Sequence, residues 1–170
     1  KFSRLMRQIL DNSRKPLISL QEEMAILENY LLIEKFCNGD RFDYEIASDP
    51  ALEADFIQIP PMLLQPFVEN AIKHGMKDLG GMKRGMIRIE FKSENQQLIC
   101  IVEDNGIGRK KAEEIKQQST VHEKEHISVA IKITRERLEL MGATNNDKTL
   151  EIIDLSKNGE PSGTRVIVRI

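Results

Sequence analysis

The stretch LICIVEDNG (residues 98–106) is a continuous apolar run that ends in acids, an asparagine and a glycine. A short apolar run bounded by turn residues is typical of a strand at the centre of a sheet. Further strands are predicted at 41–47 and 85–92, where apolar and polar residues alternate, and at 149–155 and 163–170. The chain is therefore expected to build around one sheet.

Helical patterns come first in the chain and then mix with the strands. Helices are predicted at residues 1–14, from the capping pair Ser19 and Glu22 to about Cys37, from Pro60–Pro61 to near Gly75, and at 127–141. The apolar stripe of the second helix consists of Leu20, Met24, Leu27 and Leu31 and predicts a core or dimer face. We expect an α+β fold, a two-layer sandwich of one mixed sheet with helices on one face, preceded by N-terminal helices.

The composition excludes several classes of protein. A net charge of -2 over 170 residues argues against a nucleic-acid-binding protein, and the chain has no polybasic run for a membrane surface. Cys37 and Cys100 lack metal-like spacing, which favours a reducing compartment, with Cys100 as a core residue. The chain has no signal peptide and no apolar run of about 18 residues. Because it begins with Lys1, we expect it to be a piece of a longer protein.

The helix that contains VENAIKHG (residues 68–75) has two different sides. Its apolar side consists of Val68, Ala71 and Ile72, and its polar side of Glu69, Asn70, Lys73 and His74. An asparagine oxygen suits Mg²⁺, a lysine can meet a phosphate, and a glutamate can act as a general base. The alternative is a solvated helix face on which Glu69 and Lys73 form an i,i+4 ion pair.

The segment EDNGIG (residues 103–108) directly follows the predicted central strand. Asp104 can accept a hydrogen bond from an amine such as that of adenine, and Gly106 and Gly108 allow close approach of the backbone to a ligand. Since Asp-Asn-Gly is also a common turn, a turn without a ligand is the alternative. The pair Gly163–Thr164 opens the last strand, where the threonine hydroxyl can contact a bound base.

Together and in this order, the motifs resemble the Bergerat, or GHKL, ATP-binding fold of sensor histidine kinases, type II topoisomerases, chaperones and mismatch-repair ATPases. ENAIKHG matches the N box, EDNGIG the first glycine box and SGT the last one. The tracts ISLQEEMAILENYLLIEKFCNGDRFDYEI, IPPMLLQPFVENAIKHG and ITRERL are similar to the LytS-type sensor histidine kinases. This resemblance covers the chain from about Leu5 to Ile170.

The resemblance implies a role for each candidate residue. Catalytic roles fall on Glu69 and Lys73, and ATP-binding roles on Asn70, Lys73, His74, Asp104, Gly106, Gly108, Ser128, Ala130 and Thr164. By this analogy Asn70 coordinates Mg²⁺, Glu69 activates the attacking group, and Asp104 binds the adenine amine. The polar residues 109–126 are placed like an ATP lid, which needs low local stability in order to close.

The sequence departs from the family pattern at the second glycine box. Here the tract is ISVAIKITRERL, with Ala130 where a glycine is expected and Val129 beside it. Backbone amides at this helix start normally bind the phosphates. Ala130 still supplies an amide and Ser128 a hydroxyl, but Val129 cannot take a positive φ without strain. This departure therefore leaves two alternatives to an intact phosphate site: a looser site or a degenerate one.

The resemblance implies a fragment of a two-component phosphorelay enzyme. Residues 1–38 would link to the missing phosphoacceptor region, and residues 39–170 would form the catalytic ATP-binding domain. None of His74, His122 and His126 lies in a family phosphoacceptor context, so we expect Mg-ATP binding without autophosphorylation by this chain alone. The alternatives are a pseudokinase or signalling scaffold and, with less support, an ATPase of the topoisomerase or chaperone branch.

The same resemblance implies the partners and the location. We expect a kinase homodimer in the full-length protein and a cognate response regulator, with the LytTR type as one candidate. No nucleic-acid partner is expected. The domain would lie in the cytoplasm of a bacterium and reach the inner membrane only through missing N-terminal segments.

Overall fold

The computed structural model describes residues 15–76, 84–108, 131–132, 134–139 and 149–170. The described residues contain seven strands: β1 (Ile18–Ser19), β2 (Phe42–Ser48), β3 (Gln58–Ile59), β4 (Gly85–Glu94), β5 (Gln97–Asp104), β6 (Leu150–Lys157) and β7 (Glu160–Arg169). Five of them form one sheet in the order β2-β4-β5-β7-β6. β2 and β4 run parallel and the other neighbours antiparallel, so the predicted mixed sheet is confirmed.

Two tight turns set the register of two strand pairs in this sheet, β4–β5 and β6–β7. Asn95 and Gln96 join β4 to β5 with φ values of 52° and 64°, and Asn158 and Gly159 join β6 to β7 with 55° and 81°. Two-residue hairpins favour positive φ at both central positions because the turn then matches the twist of the strands. In the separate pairing of β5 with β7, Asp104 at the end of β5 lies directly opposite Thr164.

Helices cover one face of the sheet. Helix α1 (Leu20–Cys37) carries the capping box that the sequence predicts at Ser19 and Glu22. Helix α2 (Gln65–Asn70) continues into a π turn at Ala71–Gly75, and residues 131–132 and 134–139 are also helical (α3). These helices and the inward strand faces share one core; its members include Leu20, Leu27, Leu31, Phe67, Val68, Ile87, Ile89, Phe91, Cys100, Val102, Leu138 and Val168. The two-layer arrangement is confirmed.

The predicted start of the third helix is wrong by about one turn. The helix begins at Gln65, with Pro66 in its first turn, and not at Pro60–Pro61. The residues before it are used differently: β3 pairs with β1 in a small antiparallel ladder, and Met62 then turns the chain with a φ of 57°. Of the helices whose residues the structure describes, none is long and apolar enough to cross a membrane.

Several predictions concern residues outside the described ones. They are the helix at 1–14, the lid at 109–126 and most of the helix at 127–141. For the last of these, the described part is helical, and its Thr134 and Leu138 are buried.

Candidate functional site

Helix α2 and its π turn are held by their apolar side. Val68, Ala71 and Ile72 are buried in the core, as the sequence predicts, and Glu69 and Asn70 lie half-buried on the other side. The π turn contacts both β5 and β7, the strands that carry Asp104 and Thr164. The fold therefore brings the segment with Asn70 alongside the strands that carry the acid and the threonine, although they are far apart in sequence.

Glu69 is held by neighbours on its own helix. Gln65 donates from Nε2 to Glu69 Oε1 at 3.0 Å, and Lys73 Nζ lies 3.3 Å from Glu69 Oε2. The Lys73 side chain is 62% exposed, so this i,i+4 pair contributes only a few tenths of a kcal/mol. Gln65 Oε1 is buried and has no hydrogen-bond partner among the described residues. It is a free acceptor on the side chain that binds Glu69, to which the resemblance assigns catalysis.

Asp104 is a buried acid at the end of the central strand. Its Oδ1 accepts a hydrogen bond from the Gly106 amide at 2.8 Å, and the Thr164 amide also donates to its carboxylate. Burial nevertheless raises the pKa of Asp104 to about 6, because desolvation outweighs these two hydrogen bonds. Two carboxylate oxygens offer about four acceptor positions, so this group can accept from a further donor.

The glycines near Asp104 make the close packing at this strand end possible. Gly163 has a φ of 131°, and a Cβ at this position would lie 1.8 Å from the Asp104 carbonyl oxygen. Gly108 has a φ of 76°, and a Cβ there would lie 3.1 Å from Pro161 Cβ. Gly106 is buried beside the Asp104 carboxylate. The SGT motif of the sequence includes Gly163. In the structure, this glycine allows β7 to approach the backbone of β5 closely.

Asn105 anchors the loop after β5, a role that the sequence motifs did not predict. Its Oδ1 accepts from the Met86 amide at 2.7 Å, and its Nδ2 donates to the Arg84 carbonyl at 3.2 Å. The Asn105 amide also donates to the Met86 carbonyl at 3.2 Å. These bonds attach the loop after β5 to the start of β4, so Asn105 holds the glycine-box loop in place. An asparagine directly after a buried strand was the available signal.

The structure brings together only part of the predicted site. Glu69 and Asn70 lie on α2 and Lys73 on the π turn that follows it. Asp104 ends β5, Gly106 and Gly108 follow it in the next loop, and Thr164 lies within β7 opposite Asp104. The side chain of His74, together with Ser128 and Ala130, lies outside the described residues. No group of three or more His, Cys, Asp or Glu side chains in the described ranges could hold a metal ion.

Comparisons with known proteins agree with this arrangement. The family of histidine kinase-, DNA gyrase B- and HSP90-like ATPases matches residues 60–170, and the histidine kinase family matches residues 1–42. The chain is 32% identical over 173 residues to the uncharacterised protein YwpD of Bacillus subtilis (strain 168), covering 96% of this chain and 59% of YwpD. It is 33% identical over 108 residues to the sensor protein LytS of Staphylococcus haemolyticus, covering 64% of this chain and 18% of LytS.

A solved structure shows the same fold. The catalytic domain of the histidine kinase ThkA superposes with a TM-score of 0.54 at 18% identity, covering 91% of this chain and 95% of that one. The match to ThkA therefore extends over nearly all of both chains. By contrast, the chain spans 59% of YwpD and only 18% of LytS.

Proposed function

The chain belongs to the histidine kinase-, DNA gyrase B- and HSP90-like ATPase family and carries the ATPase domain of a sensor histidine kinase. From this premise we propose that it binds Mg-ATP and transfers the γ-phosphoryl group to a histidine outside residues 1–170. The family membership confirms the resemblance to LytS-type kinases, and an ATPase domain of this family implies ATP binding.

Asp104 carries the proposal. It is 7% exposed, lies at the end of the central strand and keeps acceptor capacity after its two amide partners are counted. A buried carboxyl costs stability unless a partner or a function compensates. We assign Asp104 to the exocyclic amine of adenine, with Thr164 beside it and with Gly106 and Gly108 shaping the wall that the base contacts.

The metal and phosphate end of the site is assigned to α2. Mg²⁺ keeps several waters and takes few protein ligands besides phosphate oxygens, so a half-buried asparagine without an acidic cluster fits this ion. Bound there, Mg²⁺ would neutralise charge on the phosphates. Asn70 would supply its oxygen, Lys73 and His74 would contact the phosphates or ribose, and Glu69 would orient or deprotonate the attacking group.

The amides near Ser128 and Ala130 are assigned to the phosphates. Catalysis by these groups would rest mainly on positioning and charge stabilisation, as is usual for phosphoryl transfer. The sensor kinase family implies a response regulator as a partner. We further propose a homodimer of the full-length kinase at the bacterial inner membrane, with a regulator of the LytTR type as one candidate.

A non-catalytic signalling module is the second candidate. Val129 and Ala130 replace the glycine pattern of the second glycine box, and these positions would hold the phosphates by their amides. A module of this kind would keep the fold and bind nucleotide weakly or not at all. Phosphate transfer distinguishes the two candidates, because a kinase transfers phosphate and a non-catalytic module does not.

The first test is calorimetric titration of the chain with ATP in the presence of Mg²⁺. We expect a Kd between about 1 µM and 1 mM, the usual range for enzyme substrates. Asp104→Asn should abolish binding and Asn70→Asp should change its dependence on Mg²⁺, while the exposed Asp55→Asn should match the wild type. Wild-type chain that shows no heat up to several millimolar ATP contradicts the assignment of this site.

The second test uses the full-length protein and γ-labelled ATP. A kinase should acquire acid-labile, base-stable phosphate, which is the signature of phosphohistidine, and the chain alone should acquire none. ATP binding without any label on the full-length protein would instead support the non-catalytic module.

A further inference from the structure

Helix α1 carries one fully buried acid, Glu23, on the side that faces the core. Glu23 is 0% exposed and lies one turn after Leu20 and one turn before Leu27, both of which are buried. Its neighbour Glu22 differs, because it is exposed and caps α1 through the Ser19 amide. An acid is almost never fully buried unless it has partners, so the partners of Glu23 indicate what it does.

The partners of Glu23 are the backbone amides of loop 61–64, which leads into α2. The Met62 amide donates to Glu23 Oε2 at 2.9 Å and the Leu64 amide to Oε1 at 3.5 Å, and the Leu63 amide also donates to this carboxylate. Leu64 is the N-cap residue of α2 and provides no side-chain cap. Glu23 therefore accepts, from another helix, the N-cap amide that the N3 side chain of the same helix accepts in a capping box.

Loop 61–64 is also held by a residue of helix α3. Arg137 of α3 donates from Nη1 to the Pro61 carbonyl at 2.8 Å, and its charge lies close enough to lower the pKa of Glu23. Between these two contacts, Met62 has a φ of 57°, a conformation that is uncommon for a residue with a side chain. Such a conformation persists only where the surroundings hold it, and here a carboxylate and a guanidinium do so.

Helix α1 also places Tyr30 within electrostatic range of Glu69 on α2. The Tyr30 side chain is hydrogen-bonded to Glu34, and it lies close enough to Glu69 for that negative charge to raise the pKa of Tyr30.

Burial raises the pKa of Glu23 to about 7, although the three amides and Arg137 oppose this shift. The carboxyl is thus kept at an energetic cost, which a leucine or methionine at this position would not carry.

We propose that Glu23 is a positioning residue that, with Arg137, holds loop 61–64 and thereby sets Glu69 and Asn70 against the Mg²⁺ and phosphates of ATP. This inference rests on the function proposed above. It also means that helices α1 and α3 both act on the start of α2. A displacement of either helix would therefore move the metal-binding segment, while the adenine end at Asp104 would stay in place.

The test compares ATP affinity with Mg²⁺ and with EDTA in Glu23→Gln. Glutamine has the same shape, but its NH₂ group would face the Leu64 or the Met62 amide, so the loop must shift. We expect the Mg²⁺-dependent gain in affinity to fall roughly ten- to hundredfold, the order that a misplaced liganding group produces. ATP affinity in EDTA should change by less than about twofold, because no hydrogen bond among the described residues joins Asp104 to this loop.

Three further variants make the result specific. Glu22→Gln, a change of the same type on the neighbouring exposed residue, should leave both affinities as in the wild type. Arg137→Gln should reproduce the selective loss, and the double variant should lose less than the sum, since both residues hold one loop. Equal losses with Mg²⁺ and with EDTA would indicate general destabilisation and overturn the proposal, as would two unchanged affinities.

An NMR measurement separates this inference from the proposed function. In Glu23→Gln, the backbone amide resonances of Glu69 and Asn70 should shift, and in Glu22→Gln they should not. If the wild-type chain binds no ATP, the proposed function fails, and these shifts alone decide whether Glu23 positions α2. Unshifted resonances in Glu23→Gln would overturn the inference even in a chain that binds ATP.

Discussion

Replacement of Asp104 by asparagine tests the energetic cost of burying its carboxylate in the folded chain. The pKa of Asp104 is raised from 3.8 to about 6, chiefly by burial. For a carboxyl whose folded-state pKa is raised, the folded chain binds the proton more tightly than the unfolded chain does. The stability that this group contributes is therefore fully present below pH 3.8 and is lost as the pH rises to 6.

The magnitude follows from the size of the shift. A shift of about two pKa units corresponds to about 3 kcal/mol between the fully protonated and fully ionised limits, and to about 2 kcal/mol between pH 4.5 and pH 8. The side-chain amide that Asp104→Asn introduces does not titrate. Its NH₂ group lacks a partner, which costs about 1–3 kcal/mol at every pH. The absolute difference in unfolding free energy between wild type and variant includes this constant cost. The change of that difference with pH therefore isolates the effect of the buried charge.

The assay is urea unfolding of wild type and Asp104→Asn at pH 4.5 and pH 8. We expect the difference in unfolding free energy to move by about 2 kcal/mol in favour of the variant at pH 8, or about 1 M in the urea midpoint. Other titrating groups, Glu23 included, cancel because both proteins contain them. The exposed Asp55→Asn should show no such movement.

A difference that is the same at both pH values, within about 0.5 kcal/mol, would refute the reasoning. It would mean that the Asp104 carboxyl is not desolvated in the folded chain. The expected pattern, a variant that gains relative stability at pH 8 but no longer binds ATP, is the trade-off between stability and function that a strained binding site produces.

Three further predictions concern stability and reactivity. Gly163→Ala places a Cβ 1.8 Å from a backbone oxygen and should destabilise the chain by more than about 3 kcal/mol in thermal unfolding, or prevent folding. Gly159→Ala, at a φ of 81° with no atom within 4 Å of the added Cβ, should cost only about 1–2 kcal/mol, and equal losses would contradict the argument from contact. Ser19→Ala removes the capping box and should lower the urea midpoint by the equivalent of about 1 kcal/mol, and an unchanged midpoint would mean that the cap contributes nothing. Native chain treated with iodoacetamide should be modified at the exposed Cys37 and not at Cys100, whose pKa is raised by burial, and peptide mass spectrometry would show either result.

Short-range signals predicted most of the secondary structure. The capping pair Ser19–Glu22 and the apolar period located α1, and the alternation of side chains located the strands of the sheet. Such signals work because each depends on atoms within one or two turns of the chain. The motifs of the polar helix face and the glycine boxes then indicated the family, which the comparisons confirm.

Features that depend on contacts between residues far apart in sequence could not be predicted in the same way. A proline suits a first helical turn, but this rule cannot choose among Pro60, Pro61 and Pro66, and the choice depends on the ladder between β1 and β3. Glu23 lies on the apolar stripe of α1, so its burial could have been suspected. Its partners lie 39 and 41 residues along the chain, and no local pattern points to them.

The sequence by itself determined the strands of the five-stranded sheet, the capped helix and the family, because periodicity, capping and motif order are properties of neighbouring residues. Only the tertiary structure decided that Asp104 lies opposite Thr164, that Gly163 must lack a side chain, and that Glu23 holds the start of α2. The physical reason is that desolvation, close backbone contact and long-range hydrogen bonds arise only when separate elements pack together. These are also the effects that set the pKa and the geometry of the proposed ATP site.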